Sequence, residues 1–136
     1  MSGTRRAPVL DLDACPCSGV TLDKLIQPAI LTVLAGEEAL HGYRIAQRIA
    51  DMPPFQGQQP DVSGVYRFLR AMEERGLVVA SWDVSERGPA KRLYALTSAG
   101  RDCLARWIDT LAGYRDALGR LLAMAKAAHR RSATVE

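Results

Sequence analysis

The sequence predicts a mainly helical α+β fold, in which three short helices and a β-hairpin precede one long helix. Three observations support this prediction. Apolar residues recur at helical spacing in three segments before residue 76, each bounded by proline, glycine or a capping residue. Two strand-like segments near residues 77–82 and 92–96 flank a polar turn. A seven-residue apolar repeat then follows in residues 98–128.

Length and composition restrict the class of protein. With 136 residues, 48% of them hydrophobic, the chain is long and apolar enough for one folded domain. No apolar run approaches the ~20 residues of a membrane span, so we expect no membrane segment. Arg5 and Arg6 have no apolar stretch behind them, so we expect no secretory signal and a cytoplasmic protein. The net charge of +3 permits nucleic-acid binding without demanding it.

The first two helices follow from the spacing of their apolar residues. The first ends at Gly36 and contains Pro28, so either it kinks or its main part begins at Gln27 and Pro28. The second is predicted for residues 40–52, where one face is apolar. Three prolines and a glycine make residues 53–60 a loop.

The third helix and the hairpin complete the short domain. The helix is predicted for residues 61–75, with Asp61 or Ser63 as its N-cap and Gly76 as its C-terminal signal. The hairpin strands are predicted around a polar turn at residues 85–89. Helix, helix, loop, capped helix and hairpin is the order of elements in a winged helix-turn-helix. In that fold the third helix enters the DNA major groove and the hairpin reaches the flanking backbone or minor groove.

Polar residues of the third helix and the hairpin form the predicted DNA contacts. Arginine on an exposed helix face pairs with phosphate or a guanine edge, and a helix start presents N–H groups to phosphate. The predicted contacts are Ser63, Gly64, Tyr66, Arg67, Arg70, Arg87, Lys91 and Arg92. The alternative is a solvated charged face, because six basic residues between positions 61 and 92 stand against five acidic ones, including Glu73 and Glu74.

The last helix, predicted for residues 98–128 after Thr97 as its cap, has a heptad pattern. Two apolar rows repeat every seven positions: Leu104, Leu111, Leu118 and Ala125, and Trp107, Tyr114, Leu121 and Ala128. A domain this small has little surface left to bury both rows, so a partner chain is expected to cover them. The predicted interface residues are Leu104, Trp107, Leu111, Tyr114, Leu118 and Leu121.

These elements predict an organisation in four parts. We expect a flexible N-terminal tail at residues 1–20, a winged helix-turn-helix domain at 21–97, a dimerisation helix at 98–128 and a frayed tail at 129–136. No phosphate loop, catalytic carboxylate pair or nucleophile motif is present, so we expect neither an enzyme nor a cofactor. His41 has no orienting acid or nucleophile at a recognisable spacing, and Gly42 is interpreted as a close-packing position between helices.

Cysteine usage leaves two interpretations open. Cys15 and Cys17 could bind a soft metal or form a redox pair, or they are inert thiols in a solvated tail. A metal site usually needs three or four ligands, which two copies of this pair in a dimer would supply. Cys103 is interpreted as a small buried apolar residue.

Four segments of the chain contain motifs that are specific for a protein family when they are taken together. They are residues 29–34, 40–45 (with His41-Gly42-Tyr43), 64–78, and 91–101 (with Tyr94-x-Leu96-Thr97-x-x-Gly100). In order and separation they resemble the PadR family of bacterial winged-helix transcriptional regulators, over roughly residues 25–111. Trp82 and the turn at residues 88–92 resemble in particular the branch that includes polyhydroxybutyrate-responsive repressors.

The resemblance implies a homodimer held by the C-terminal helix, which represses a nearby promoter. A dimer places two recognition helices on one face, so we expect a pseudo-palindromic site on double-stranded DNA. The resemblance also implies release by a small, often aromatic or planar molecule. Tyr66 and Arg67 would contact DNA, and Lys91 and Arg92 would contact phosphate or the minor groove. Trp107 would stack on the ligand, or else it is an aromatic residue of the helix seam or the core. Two rival functions are a protein-interaction module and a thiol- or metal-responsive regulator that uses Cys15 and Cys17.

Overall fold

The structure, a computed structural model, describes residues 23–55, 62–84 and 88–133. The helices are α1 (Ile26–Ala35), α2 (Gly42–Ala50), α3 (Val62–Glu74) and α4 (Ser98–Ala133), and the strands are β1 (Leu40–His41), β2 (Val78–Asp83) and β3 (Lys91–Leu96). Short 3-10 turns occupy Asp23–Leu25 and Pro53–Phe55. The predicted fold class is confirmed: a mainly helical winged helix-turn-helix with a long C-terminal helix.

Helix α1 begins at Ile26, so Pro28 lies in its first turn. A first-turn N–H has no intrahelical acceptor, so the proline ring costs no backbone hydrogen bond there. Helix α3 begins at Val62, so Ser63 lies in its first turn and the prediction that Ser63 is the N-cap was wrong. The other N-cap candidate, Asp61, lies outside the described residues.

The three strands form an antiparallel sheet in the order β1-β3-β2. Leu40 pairs with Tyr94, and across the hairpin Val78 pairs with Leu96 and Trp82 with Arg92. The sequence prediction placed residues 40 and 41 in the second helix, which was wrong. His41 has extended backbone angles and ends a two-residue strand, so α2 begins at Gly42. This strand brings the start of α2 against the hairpin.

The core lies between α1, α2, α3 and the sheet. Its fully buried side chains are Ile30, Leu31, Leu34, Ile45, Ile49, Val65, Leu69 and Met72. Cys103, Leu104 and Trp107, from the first three turns of α4, pack against this cluster and are half-buried. The start of α4 therefore belongs to the domain: Leu104, which the heptad pattern placed in the interface with a partner chain, and Trp107, for which the core was one alternative, both pack against the core of their own chain.

The junction between α3, β2 and α4 is fixed by backbone hydrogen bonds. Gly76 has φ +79°, and the amides of Gly76 and Leu77 donate to the carbonyls of Glu73 and Met72, which is a Schellman motif. The Thr97 hydroxyl accepts from the Gly100 amide at 3.0 Å and lies 2.6 Å from the Gly76 carbonyl oxygen. One threonine thereby caps α4 and ties it to the end of α3.

Helix α4 continues to Ala133, so residues 129–133 are helical where the sequence predicted a frayed tail. Its second half is largely exposed. Within the described residues, no helix is both long enough and apolar enough to cross a membrane.

Candidate nucleic-acid interface

A cleft of about 950 Å³ lies between the start of α2, the exposed face of α3 and the β2–β3 hairpin. Its lining is almost entirely aromatic and cationic. The lining residues are His41, Gly42, Tyr43, Arg44, Tyr66, Arg67, Arg70, Trp82, Ala90, Lys91, Arg92 and Tyr94. No carboxylate lines it within the described residues, so the cleft is a cationic surface with flat apolar walls.

The exposed face of α3 forms one wall of the cleft. Arg67 and Arg70 are exposed and make no ion pair with any described residue, and Tyr66 is 42% exposed. Val65 and Leu69, on the opposite face, are fully buried and fix the direction in which this wall points. The structure therefore places the three predicted helix residues together.

Gly42 fixes the position of the Tyr66 ring. A Cβ atom at Gly42 would lie 2.8 Å from Tyr66 Cζ and 2.9 Å from its hydroxyl oxygen, closer than van der Waals contact allows. The interpretation of Gly42 as a close-packing position between helices is confirmed. Because the ring lies on the backbone of α2, Tyr66 has less freedom than an exposed tyrosine on an isolated helix.

The hairpin forms the opposite wall. Lys91 is exposed and has no ion-pair partner among the described residues. Arg92 is different, because its Nη2 donates to both carboxylate oxygens of Glu73, at 2.8 and 3.0 Å. From the sequence, Arg92 was predicted to contact DNA and Glu73 only to dilute the positive charge; the ion pair between them was not predicted. Arg87, the other predicted hairpin residue, lies outside the described residues.

The first turn of α3 holds Ser63, which is exposed, and Gly64, which is half-buried. The Gly64 amide belongs to the turn whose N–H groups have no intrahelical acceptor. Binding of an anion at this helix start stays a prediction from the sequence.

Several cleft residues were not among the predicted DNA contacts. Arg44 lines the cleft beside Tyr43, which is exposed. Trp82 is 65% exposed on the hairpin. Only the hairpin register, which pairs Trp82 with Arg92, could have predicted that Trp82 lines the cleft. That register depends on the length of the turn, which the sequence does not determine.

Two polar features complete the cleft. His41 Nε2 lies 3.0 Å from Asp83 Oδ2, which joins the start of α2 to the end of β2. This contact gives His41 a structural partner on the hairpin. Burial raises the pKa of the Tyr94 hydroxyl above its usual range, so this tyrosine stays neutral and contributes no negative charge beside the cations.

Helix α4 presents the remaining predicted residues in two groups. Leu104 and Trp107 pack against the core and Leu111 is half-buried, whereas Tyr114, Leu118 and Leu121 are 52%, 62% and 61% exposed. Further exposed apolar side chains on the helix are Ile108, Leu122 and Met124. A hollow of about 330 Å³ lies at the Trp107 end, lined by Gln27, Arg75, Cys103, Arg106, Trp107 and Thr110.

The cysteines do not form a site in the described residues. Cys103 is half-buried, and the Gln27 amide nitrogen lies 3.9 Å from its sulfur. Cys15 and Cys17 lie outside the described residues. Among the described residues no group of three histidine, cysteine or acidic side chains could hold a metal ion.

Comparison with known proteins gives consistent matches. Over 81 residues the chain is 35% identical to Rv1176c of Mycobacterium tuberculosis, a probable transcriptional regulator; the match covers 60% of this chain but 42% of that protein. TA0346 of Thermoplasma acidophilum, a candidate transcriptional regulator, has a crystal structure with TM-score 0.65 and 29% identity, covering 75% of this chain and 94% of that one.

A third match gives the fold alone. PadR of Bacillus subtilis, whose crystal structure is in complex with operator DNA, has TM-score 0.54 and 24% identity, covering 62% of this chain and 46% of that one.

Residues 30–106, more than half of the chain, match the transcriptional regulator PadR-like family, a family of regulators and not of enzymes. The chain belongs to the PadR-like family of transcriptional regulators.

Proposed function

We propose that this protein is a homodimeric cytoplasmic repressor that binds a pseudo-palindromic operator, with α3 in the major groove and the hairpin beside the flanking backbone. The observation that carries the proposal is the cationic cleft. Arg67, Arg70 and Lys91 converge there without a described carboxylate partner. DNA phosphates would supply the missing negative charge, and counterion release would add to affinity.

The geometry of α3 suits contacts with phosphates and base edges in the DNA major groove. Arginines three positions apart are neighbours on a helix, so Arg67 and Arg70 reach adjacent phosphates or base edges. Tyr66, held on Gly42, offers a hydroxyl and a ring at a fixed position beside them. The PadR structure from Bacillus subtilis, solved with operator DNA, supports this use of the fold.

Dimerisation is supported by α4. From Tyr114 onward α4 exposes members of both heptad rows, Tyr114, Leu118 and Leu121, which is costly for a helix that stays in water. A second copy of the same helix would cover these residues, as heptad rows pack in helix pairs. The dimer would place two α3 helices on one DNA duplex, and its occupancy of a promoter would block transcription.

Modulation by a small molecule has support at the other end of α4. The hollow at Trp107 combines an indole wall with the guanidinium groups of Arg75 and Arg106, which suits a planar aromatic anion. Arg75 directly follows α3, so a ligand here would bear on the helix proposed to read DNA. The test is quenching of Trp107 fluorescence by aromatic carboxylates in a Trp82→Phe background; no quenching by any of them would contradict a site here.

Hydroxyl-radical footprinting on the DNA upstream of the protein's own gene tests operator binding. We expect two protected half-sites with centres about 10 base pairs apart, or a multiple of that spacing, because a two-fold dimer repeats its contacts by helical turns. A promoter reporter should lose expression when the protein is present. A single unrepeated footprint would contradict the dimer, and no protection would contradict operator binding.

A further inference from the structure

We propose that Glu73 and Arg92 are a positioning pair, which sets the hairpin at a fixed distance from α3 so that both elements meet one DNA duplex. Arg92 would then support binding by holding the hairpin, and not by contacting phosphate. The proposal rests on the DNA-binding function proposed above, and it reverses the role that the sequence suggested for both residues.

The contact joins two separate elements of the proposed interface. Arg92 Nη2 donates to both oxygens of the Glu73 carboxylate, at 2.8 and 3.0 Å, across 19 positions of sequence. Glu73 lies near the end of α3 and Arg92 near the start of β3. The side chains are partly screened from solvent, with 32% and 40% of their surfaces exposed. A phosphate would have to compete with this carboxylate for Nη2.

Two aromatic rings also contact the Arg92 guanidinium. Its central carbon lies 5.9 Å from the Trp82 ring centre and 5.6 Å from that of Tyr94. Trp82 lies directly opposite Arg92 in the hairpin register. Stacking on aromatic rings reduces the number of rotamers open to an arginine. The guanidinium is thereby held in the direction of α3 before any DNA arrives.

The base of the hairpin is buried in the core at Leu96, whereas Arg92 lies toward its exposed tip. Near the tip, Asp83 lies 3.0 Å from His41, which is the last residue of β1. That contact ties the hairpin to β1 and not to α3. Among the described residues, the Glu73–Arg92 pair is the ion pair that joins the proposed reading helix to the hairpin.

For the removal of Glu73, the proposal predicts a change in DNA affinity opposite in direction to the one that electrostatics alone predicts. A carboxylate beside a DNA-binding cleft repels phosphates, so electrostatics alone predicts tighter DNA binding when Glu73 is removed. A positioning role predicts weaker binding. Glu74 is the matched control, because it is the next residue of α3, is exposed and has no ion-pair partner among the described residues.

The experiment measures fluorescence anisotropy of a labelled duplex from upstream of the gene with the Glu73→Ala and Glu74→Ala proteins. We expect Glu73→Ala to weaken binding about three- to fivefold, as befits a partly exposed ion pair, and Glu74→Ala to leave it unchanged or tighter. In an Arg92→Ala background, Glu73→Ala should no longer weaken binding, because no arginine remains to be held. Tighter binding by Glu73→Ala in the natural background would overturn the proposal.

A second readout needs no DNA. Amide hydrogen exchange in β2 and β3 should be faster in Glu73→Ala than in Glu74→Ala, while exchange in α1 stays the same. Equal exchange in the two variants would overturn the proposal even where the DNA result agreed. If the natural protein binds no DNA, the proposed function fails, and with it the role of the pair in binding, whereas the exchange result still decides whether the pair holds the hairpin.

Discussion

At the scale of residues, the side chains of the cleft differ in what holds them before DNA binds. Arg67 and Arg70 have no described ion-pair partner, so a bound phosphate would not have to displace a carboxylate from either of them. Tyr66 is held by contact with the backbone of Gly42. Arg92 is already paired with Glu73. The cleft thus combines side chains that are held by neighbouring residues with cations that have no described ion-pair partner.

The Gly42→Ala substitution tests whether the contact with Gly42 holds the Tyr66 ring in place. The new methyl group would overlap the Tyr66 ring, which is the end of a flexible side chain and can swing away. We therefore expect a change in unfolding free energy below about 1 kcal/mol but a loss of DNA affinity as large as that of Tyr66→Ala. Combining the two substitutions should add no further loss. A full additive loss, measured by anisotropy, would show that Gly42 acts by another route.

At the scale of elements, the junction of α3, β2 and α4 determines how the long helix leaves the domain. The Thr97 cap, the Schellman motif at Gly76 and a close approach at Gly100 meet there. A Cβ at Gly100 would overlap the Leu77 carbonyl oxygen, which is backbone and cannot swing away. Gly113, on the same helix, has open space around its Cα.

These two glycines give a matched pair of substitutions. Gly100→Ala should lower the unfolding free energy by about 1–3 kcal/mol, because the two backbones must separate. Gly113→Ala should raise it by about 0.5–1 kcal/mol, because alanine favours the helix interior. Urea denaturation of both variants measures the signs. A shift in the same direction for both would contradict the close approach at the junction.

Most elements were predictable from local signals, and the errors have local causes. The faces of α1, α2 and α3 follow from 3.6-residue spacing, and Gly76 marks a chain reversal that needs positive φ. Strand β1 was missed because two residues show no alternation. The end of α4 was missed because the heptad rows stop before the helix does. The Glu73–Arg92 contact depends on hairpin register, which the turn sequence does not determine.

At the scale of the whole molecule, α4 divides into two functional lengths. Its first turns pack on the core through Leu104 and Trp107, so both heptad rows begin against the domain of their own chain. From Tyr114 onward the same rows are exposed, beyond the reach of the domain. The sequence periodicity identified the apolar residues of α4 but could not show at which residue the domain stops covering them. The exposed part of α4 is the part that a second copy of the chain could cover.

The Leu118→Asn substitution tests whether the exposed part of α4 forms the proposed dimer interface. Leu118 is exposed, so the substitution should leave the fold of a single chain intact, but it places an amide in the proposed apolar seam. We expect sedimentation to show monomers at concentrations where the natural protein is dimeric. Arg120→Asn, two positions along and also exposed, is the control and should stay dimeric. An intact Leu118→Asn dimer would place the interface elsewhere.

The central claim is that the cleft on α3 binds operator DNA, and one measurement tests it most directly. Fluorescence anisotropy compares the natural protein with Arg67→Ala/Arg70→Ala on its own upstream DNA, at several salt concentrations and with scrambled competitor. We predict binding by the natural protein that survives competitor, with each lost phosphate contact in the variant lowering the salt slope by about one. Equal affinity and equal slope for the two proteins, or binding erased alike by scrambled DNA, would contradict the claim.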